Sequence, residues 1–117
     1  MLRPEEAYEG YVRAWNEPEH AAAILSECWA EDGVYADDEV PDGVVGPAAV
    51  AALIKETHEA SPGLRIWSTS TARMLAGRLG VSWAAEGAPP ESSSGTDVIE
   101  FAADGRIARV TDVLNIV

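Results

Sequence analysis

Two aspartates stand among apolar residues in segments that alternate with a period of two. Asp97 shares a strand face with Gly95, Ile99 and Phe101, and Asp112 shares one with Val110 and Leu114. A carboxylate on the bulky apolar face of a strand is costly unless it is paired or protonated. Burial disfavours the charged form, so Asp97 can stay neutral and donate a hydrogen bond. The alternative for Asp97 is a partly solvated strand, marked by Val98 and Glu100, on which its carboxyl bonds to a neighbour. For Asp112 the alternative is a carboxylate that reaches solvent at the sheet end, since the opposite facing of a strand is one register away.

Other reactive residue types have structural explanations beside the chemical ones. His58 lies near the end of an expected helix, four residues after Ile54, where it could reach a pocket mouth; a helix C-terminus also favours histidine electrostatically without catalysis. His20 begins a helix beside Glu19 and is expected to be exposed. Cys28 sits on an apolar helix face, which suits an inert thiol better than a nucleophile. Arg65 and Arg73, evenly spaced on Trp67's face of one expected strand, either hold an anionic substrate or pair with surplus acid. Two distant histidines and one cysteine give no zinc spacing, and neither a phosphate-binding glycine loop nor a Ser/His/Asp arrangement is evident. No metal and no cofactor is expected.

Composition narrows the partners. Across 117 residues, 8 Lys and Arg stand against 20 Asp and Glu, a net charge of -12 that repels phosphate backbones and anionic membranes. The start, Met1-Leu2-Arg3-Pro4-Glu5-Glu6, has no apolar signal core, and no stretch approaches the roughly 20 apolar residues that span a bilayer. With a single cysteine there is no intrachain disulfide, and a reducing, cytoplasmic location is the simplest expectation. The length suits one domain over 1–117, with 47% hydrophobic residues to fill one core.

These side chains are positioned by three helices followed by strands. Tyr8, Tyr11, Val12 and Trp15 form one stripe of a helix from Pro4 to Trp15, and Pro4 fits its first turn. Asn16-Glu17-Pro18 breaks it. A second helix, about Glu19 to Ala30, turns Ile24, Leu25, Cys28 and Trp29 inward, and Glu31-Asp32-Gly33 ends it before a short strand at Val34 to Asp37. The Asp, Pro and Gly of 38–46 predict a loop. Pro47 then starts a third helix with Val50, Leu53, Ile54 and Thr57 on one stripe, stopped by Ser61-Pro62-Gly63. Beyond it the period becomes two, predicting strands at Leu64 to Met74, Gly80 to Glu86, Thr96 to Ala102 and Ile107 to Ile116. Turns at Ala76-Gly77-Arg78 and Ala103-Asp104-Gly105, and a longer loop at 87–95, predict an antiparallel meander in an α+β fold, the helices covering one face of a strongly curved sheet.

This order of elements, with Tyr11-Val12-Arg13-Ala14-Trp15-Asn16, Trp29-Ala30-Glu31-Asp32-Gly33-Val34-Tyr35-Ala36-Asp37, Gly46-Pro47-Ala48-Ala49-Val50 and Asp104-Gly105-Arg106-Ile107, resembles the nuclear-transport-factor-2-like superfamily. Its SnoaL-like branch is the nearest in pattern, and the likeness covers essentially the whole chain. The resemblance implies a cone-shaped, cystatin-like α+β barrel in which three N-terminal helices close a strongly curved, mostly antiparallel sheet over a ligand. It does not by itself settle an activity, because that fold carries isomerases, cyclases, dehydratases, epoxide hydrolases and association modules.

On the ketosteroid-isomerase-like pattern, Asp37 matches the general base, and Tyr11 and Asp97 match the two donors that hold an enolate oxygen. The pattern departs at Asp38, where proline is common, and Asp37-Asp38-Glu39 could instead be an ordinary solvated loop edge. On the limonene-type epoxide hydrolase and SnoaL-type cyclase pattern, Asp112 matches the second carboxylate and Tyr35 also fits. There the arginine two residues before Asp97 is replaced by Gly95, and an asparagine by Asp37. The cone implied by the resemblance would take its walls from Trp15, Trp29, Tyr35, Trp67, Trp83, Ile99 and Phe101, with His58 at the mouth as in scytalone-dehydratase-like sites. Core packing could equally use the aromatics. The resulting expectation is a cofactor-free acid-base transformation of a hydrophobic small molecule, of isomerase or cyclase type, in a homodimer paired through the outer sheet face. Epoxide opening by Asp97 and Asp112 is the alternative reaction, and a non-catalytic ligand-binding or dimerisation module the alternative to catalysis.

Overall fold

The computed structural model describes residues 2–114. Helix α1 spans Pro4–Asn16 and buries Tyr8, Tyr11 and Trp15 of the predicted stripe together with Ala7 and Ala14, while Val12 is half-buried. Glu6 accepts the Arg3 backbone N–H at 3.2 Å, and acidic side chains in this first turn complement the helix dipole. A 3-10 turn at Pro18–His20 leads into α2, Ala21–Cys28. Strand β1 follows immediately, Trp29–Ala36.

The boundary between α2 and β1 corrects the sequence reading. Apolar periodicity carries the helix to Ala30, but Trp29 already has extended backbone, φ -117° and ψ 130°, and pairs in parallel with Ile107. A cross-strand partner available only in the folded chain overrides the local pattern. Glu31-Asp32-Gly33 therefore lies inside β1, at an irregularity in its pairing between Trp29 and Val34. Part of the expected loop at 38–46 also forms a two-residue strand, β2 (Val44–Val45), paired with Val34 and Tyr35.

Helix α3 spans Pro47–Ala60 and buries Val50 and Ile54. The single strand expected from Leu64 to Met74 is two, β3 (Arg65–Ser68) and β4 (Arg73–Leu75). Between them the Thr69 N–H donates to the Ser82 carbonyl at 2.8 Å, and the Ser82 N–H to the Ser70 hydroxyl at 2.9 Å. Arg65 and Arg73 thus stand on different strands, and both are exposed. Ala76 and Gly77 both take positive φ, 54° and 78°, in the two-residue turn from β4 into β5 (Arg78–Glu86), the geometry that matches strand twist. Strands β6 (Ser94–Phe101) and β7 (Ile107–Leu114) complete the meander. The last part of the strand expected to reach Ile116 lies outside the described residues.

The sheet runs β2-β1-β7-β6-β5-β3, with β4 also on β5. It is curved but not closed, and antiparallel except where β1 runs parallel to β7. Leu25, Trp29, Ile54, Leu79, Ile99 and Ile107 are fully buried between this sheet and the helices. Among the described residues no helix is long and apolar enough to cross a membrane.

Candidate active site

The apolar core does not fill the cone. A cavity of about 430 Å³ lies between α1, α3 and the inner faces of β5 to β7, bounded also by the turn after β1 and the 3-10 turn Pro90–Ser92. Tyr11, Trp15, Tyr35 and Trp83 wall it, and Asp37, Asp97 and Asp112 all face it. The period-two alternation of β6 and β7 brings the last two there, and their register places them directly opposite each other.

Two like charges on neighbouring strands, 3% and 9% exposed, cannot both persist cheaply. Burial, then the charge of Asp112, pushes the Asp97 carboxyl well above the usual range, and Asp97 keeps a proton that it donates to Asp112. Tyr8 donates to Asp97 Oδ2 at 3.4 Å and opposes the shift. Burial also raises Asp112, to about 6. The Trp83 indole N–H at 2.8 Å from Oδ1 and the Asp97 proton hold it below Asp97, with a weaker, shared contribution from the Tyr35 hydroxyl 3.5 Å from Oδ2. The result is one protonated carboxyl and one carboxylate near its titration point, a separated acid and base.

Asp37 plays a different part. Its Oδ2 accepts the Tyr35 hydroxyl at 2.7 Å, and its Oδ1 accepts the N–H groups of Glu39 and Val40 at 2.8 and 2.9 Å. It is half-buried at the end of β1, and three donors engage it in holding the turn. Tyr35 consequently touches both Asp37 and Asp112. Tyr11 is 2% exposed, and burial, then the nearby Asp97, pushes its phenol well above the ordinary range, so it is a neutral donor. Its ring stacks on Trp29 with centroids 5.7 Å apart.

The remaining sequence-predicted residues are not gathered on the cavity. Trp29 and Ile99 are fully buried in the core beneath it. Phe101 is half-buried beyond the irregularity that follows Glu100. Trp67 is 45% exposed, and its neighbour Ile66 lines the cavity in its place. His58 Nε2 lies 2.6 Å from the Trp15 carbonyl oxygen, linking α3 to the end of α1. The Asn16 side chain ties the end of α1 to β3, exchanging two hydrogen bonds of 2.8 and 2.9 Å with the Ile66 backbone. Cys28 is buried, and burial pushes its thiol up to about 11, in keeping with an inert thiol. His20 is exposed.

Tyr8 is the residue that sequence reasoning passed over. Its place on the Tyr8, Tyr11, Trp15 stripe marks it as inward, but nothing local marks Asp97, far along the chain, as its partner. Gly95 lies opposite Trp83, and a Cβ there would come within 2.8 Å of the indole Cζ2. The place an epoxide hydrolase would give to arginine is closed by Trp83. Among the described residues, no group of three His, Cys, Asp or Glu side chains could hold a metal ion.

A family model described as the SnoaL-like domain matches residues 8–110. A candidate isomerase of the SnoaL-like family from Agrobacterium tumefaciens strain C58 superposes with a TM-score of 0.80 at 25% identity, covering 94% of this chain and 95% of that one. A candidate polyketide cyclase from Sinorhizobium meliloti gives 0.74 at 21% identity over 91% and 92%. A candidate ketosteroid isomerase from Kribbella flavida gives 0.69 at 20% over 95% and 76%, and these two likenesses show the fold alone. The search of curated proteins gives no match.

Proposed function

Because this chain belongs to the SnoaL-like domain family, we propose that its cone carries out a cofactor-free acid-base transformation, of isomerase or cyclase type, on a hydrophobic small molecule. The observation that carries the reading is the direct opposition of two buried carboxyls, Asp97 and Asp112, at the wall of a largely apolar cavity. A carbonyl oxygen of the substrate competes with Asp112 for the Asp97 proton. As Asp97 turns its O–H toward that oxygen, Asp112 loses a donor and becomes the stronger base. Asp112 then takes a proton from the carbon next to the carbonyl, and the C–H electron pair moves into the enolate. Asp97 and Tyr11 hold the oxygen that gains charge. Where an adjacent double bond extends the enolate, return of the proton from Asp112 to the far carbon of that system completes an isomerisation; attack of the enolate on a second carbonyl, with the Asp112 proton passing to the new alkoxide, closes a ring.

The Gly95 and Trp83 arrangement weighs against epoxide opening. The three carboxyls facing a cavity weigh against a purely structural module. A second assignment keeps the chemistry and moves the base to Asp37, supported by its position on the same cavity and its link to Asp112 through Tyr35.

Incubating a panel of hydrophobic cyclic ketones with the protein in D2O tests this by NMR. Protein-dependent exchange next to the carbonyl, lowered about a hundredfold or more in Asp112→Asn, is the expected result. Absence of exchange across the panel, or exchange indifferent to both Asp112→Asn and Asp37→Asn, defeats the proposal. The homodimer implied by the resemblance would cover the outer sheet face, where Leu75 and Val113 stand exposed. Sedimentation as a monomer at high micromolar concentration would exclude it.

A further inference from the structure

We propose that the cavity selects an amine-bearing hydrophobe, bound with its ammonium group at the mouth and its oxygen function at Asp97, an inference that rests on the acid-base reading above. Every ionisable carboxyl or basic side chain lining the cavity, among the described residues, is acidic: Asp37, Asp38, Glu39, Glu56, Asp97 and Asp112. No lysine, arginine or histidine lines it.

The acids fall into two groups, with the half-buried Asp37 between them. Asp97 and Asp112 are buried, while Asp38, Glu39 and Glu56 are exposed and therefore stand at the opening. A cleft with low-dielectric walls and charge of one sign concentrates the opposite sign at its mouth. The mouth also contains the last turn of α3, through Thr57, Ala60 and Ser61, and a helix C-terminus carries partial negative charge that favours a cation. Carboxylates on two separate elements and a helix end thus act in the same direction.

The interior supplies what the rest of such a ligand needs. Leu53, Leu64, Ile66 and Leu114 offer apolar surface, and the faces of Trp15, Tyr35 and Trp83 suit a rigid ring or a cation. Asp97, whose carboxyl faces the cavity and is pushed toward its protonated form by burial, offers an O–H to an oxygen acceptor on the bound molecule. A carboxylic acid or phosphate ester has no counter-ion here and would meet only like charge.

Three probes on one skeleton separate charge from shape: 2-(naphthalen-2-yl)ethylamine, 2-(naphthalen-2-yl)ethanol and naphthalene-2-acetate. Calorimetric titration at pH 7.5 should give the amine a Kd about tenfold below that of the alcohol, and the acetate one about tenfold above it. Raising salt to half molar, or neutralising the mouth in Asp38→Asn/Glu56→Gln, should shrink the amine's advantage to about twofold. Equal binding of amine and alcohol, tighter binding of the acetate, or an advantage that survives the double substitution overturns the inference. If that happens while ketone exchange persists and still depends on Asp112, only the charge preference falls. If none of the three probes binds and no exchange is seen, the acid-base reading falls with it.

Discussion

Trp83 and Gly95 face each other across β5 and β6, and the indole occupies the space that any side chain at position 95 would need. The same indole donates its N–H to Asp112 at 2.8 Å. An absent side chain on one strand therefore fixes a hydrogen bond to a carboxylate on another.

That relationship predicts the outcome of Gly95→Ala. The added Cβ cannot be accommodated without displacing either Trp83 or the Val113 carbonyl, which would lie at 2.6 Å. Overpacking of this kind costs about 1 to 3 kcal/mol, measurable by urea denaturation. Trp83→Phe removes the donor without the clash. Asp112, released from a group that lowers its pKa, should then titrate above its present value of about 6, and the acidic limb of the exchange rate should move to higher pH. An unmoved limb would mean that Trp83 fills space and does not tune the base.

Stability should depend on pH through the same pair. Asp97 and Asp112 both have folded-state values raised above the unfolded 3.8. Between the unfolded and folded values the native state binds more protons, so their stabilising contribution is complete below about pH 4 and is lost as pH rises through the folded values. For Asp112 that window ends near pH 6, and for Asp97 it extends higher. Each raised group contributes a fall of up to about 1.4 kcal/mol per pH unit inside its window. Asp97→Asn removes one of the two, so the fall between pH 4 and 6 should be about halved and the variant should be the more stable protein at pH 8. A variant less stable than wild type at every pH would identify Asp97 as a structural hydrogen-bonding residue.

Much of this site was readable before any coordinates, and the parts that were not share a cause. The stripe on α1 and the alternation of β6 and β7 are local periodicities, so spacing groups Tyr11 with the inward stripe and sets Asp97 and Asp112 beside apolar neighbours, while leaving open which face of each strand turns to the core. The direct opposition of Asp97 and Asp112 does not follow from spacing. It depends on the turn at Asp104-Gly105 and on the irregularity after Glu100, which jointly set the register. Trp29 reads as helix because its neighbours are helical, and becomes strand because Ile107 is beside it. On β3 the alternation runs one residue away from expectation, and the aromatic residue faces out while Ile66 faces in, pinned by Asn16. Pairing between distant segments decided each of these.

Tyr8 tests whether the pair is adjusted from behind. It is absent from the cavity lining, yet its hydroxyl donates to Asp97 at 3.4 Å and favours the ionised form. It is a positioning residue, and the long contact implies a modest effect. In Tyr8→Phe the Asp97 proton should be held more firmly, moving the basic limb of the exchange profile to higher pH with less than a tenfold change in maximum rate. A loss of rate without any movement of that limb would mean that Tyr8 only packs against Tyr11, whose ring centroid lies 6.0 Å away.

The two candidate bases are separated by a pair of isosteric substitutions. Asp112→Asn removes the group whose carboxylate is poised near neutrality, and exchange should fall about a hundredfold or more, with the fold kept or improved because a buried carboxyl is replaced by a neutral amide. Asp37→Asn touches a residue whose oxygens are already engaged by Tyr35, Glu39 and Val40. Asparagine retains one acceptor for the two backbone N–H groups and loses the strong bond from Tyr35. Tyr35 is then free to turn its hydroxyl fully onto Asp112, from which it now stands 3.5 Å away. That added donor should lower the Asp112 value below about 6, so the acidic limb should move to lower pH while the maximum rate falls by less than tenfold. The opposite pattern, with Asp37→Asn nearly inactive and Asp112→Asn largely active, would transfer the base to Asp37 and leave Asp112 as the acceptor that keeps Asp97 protonated.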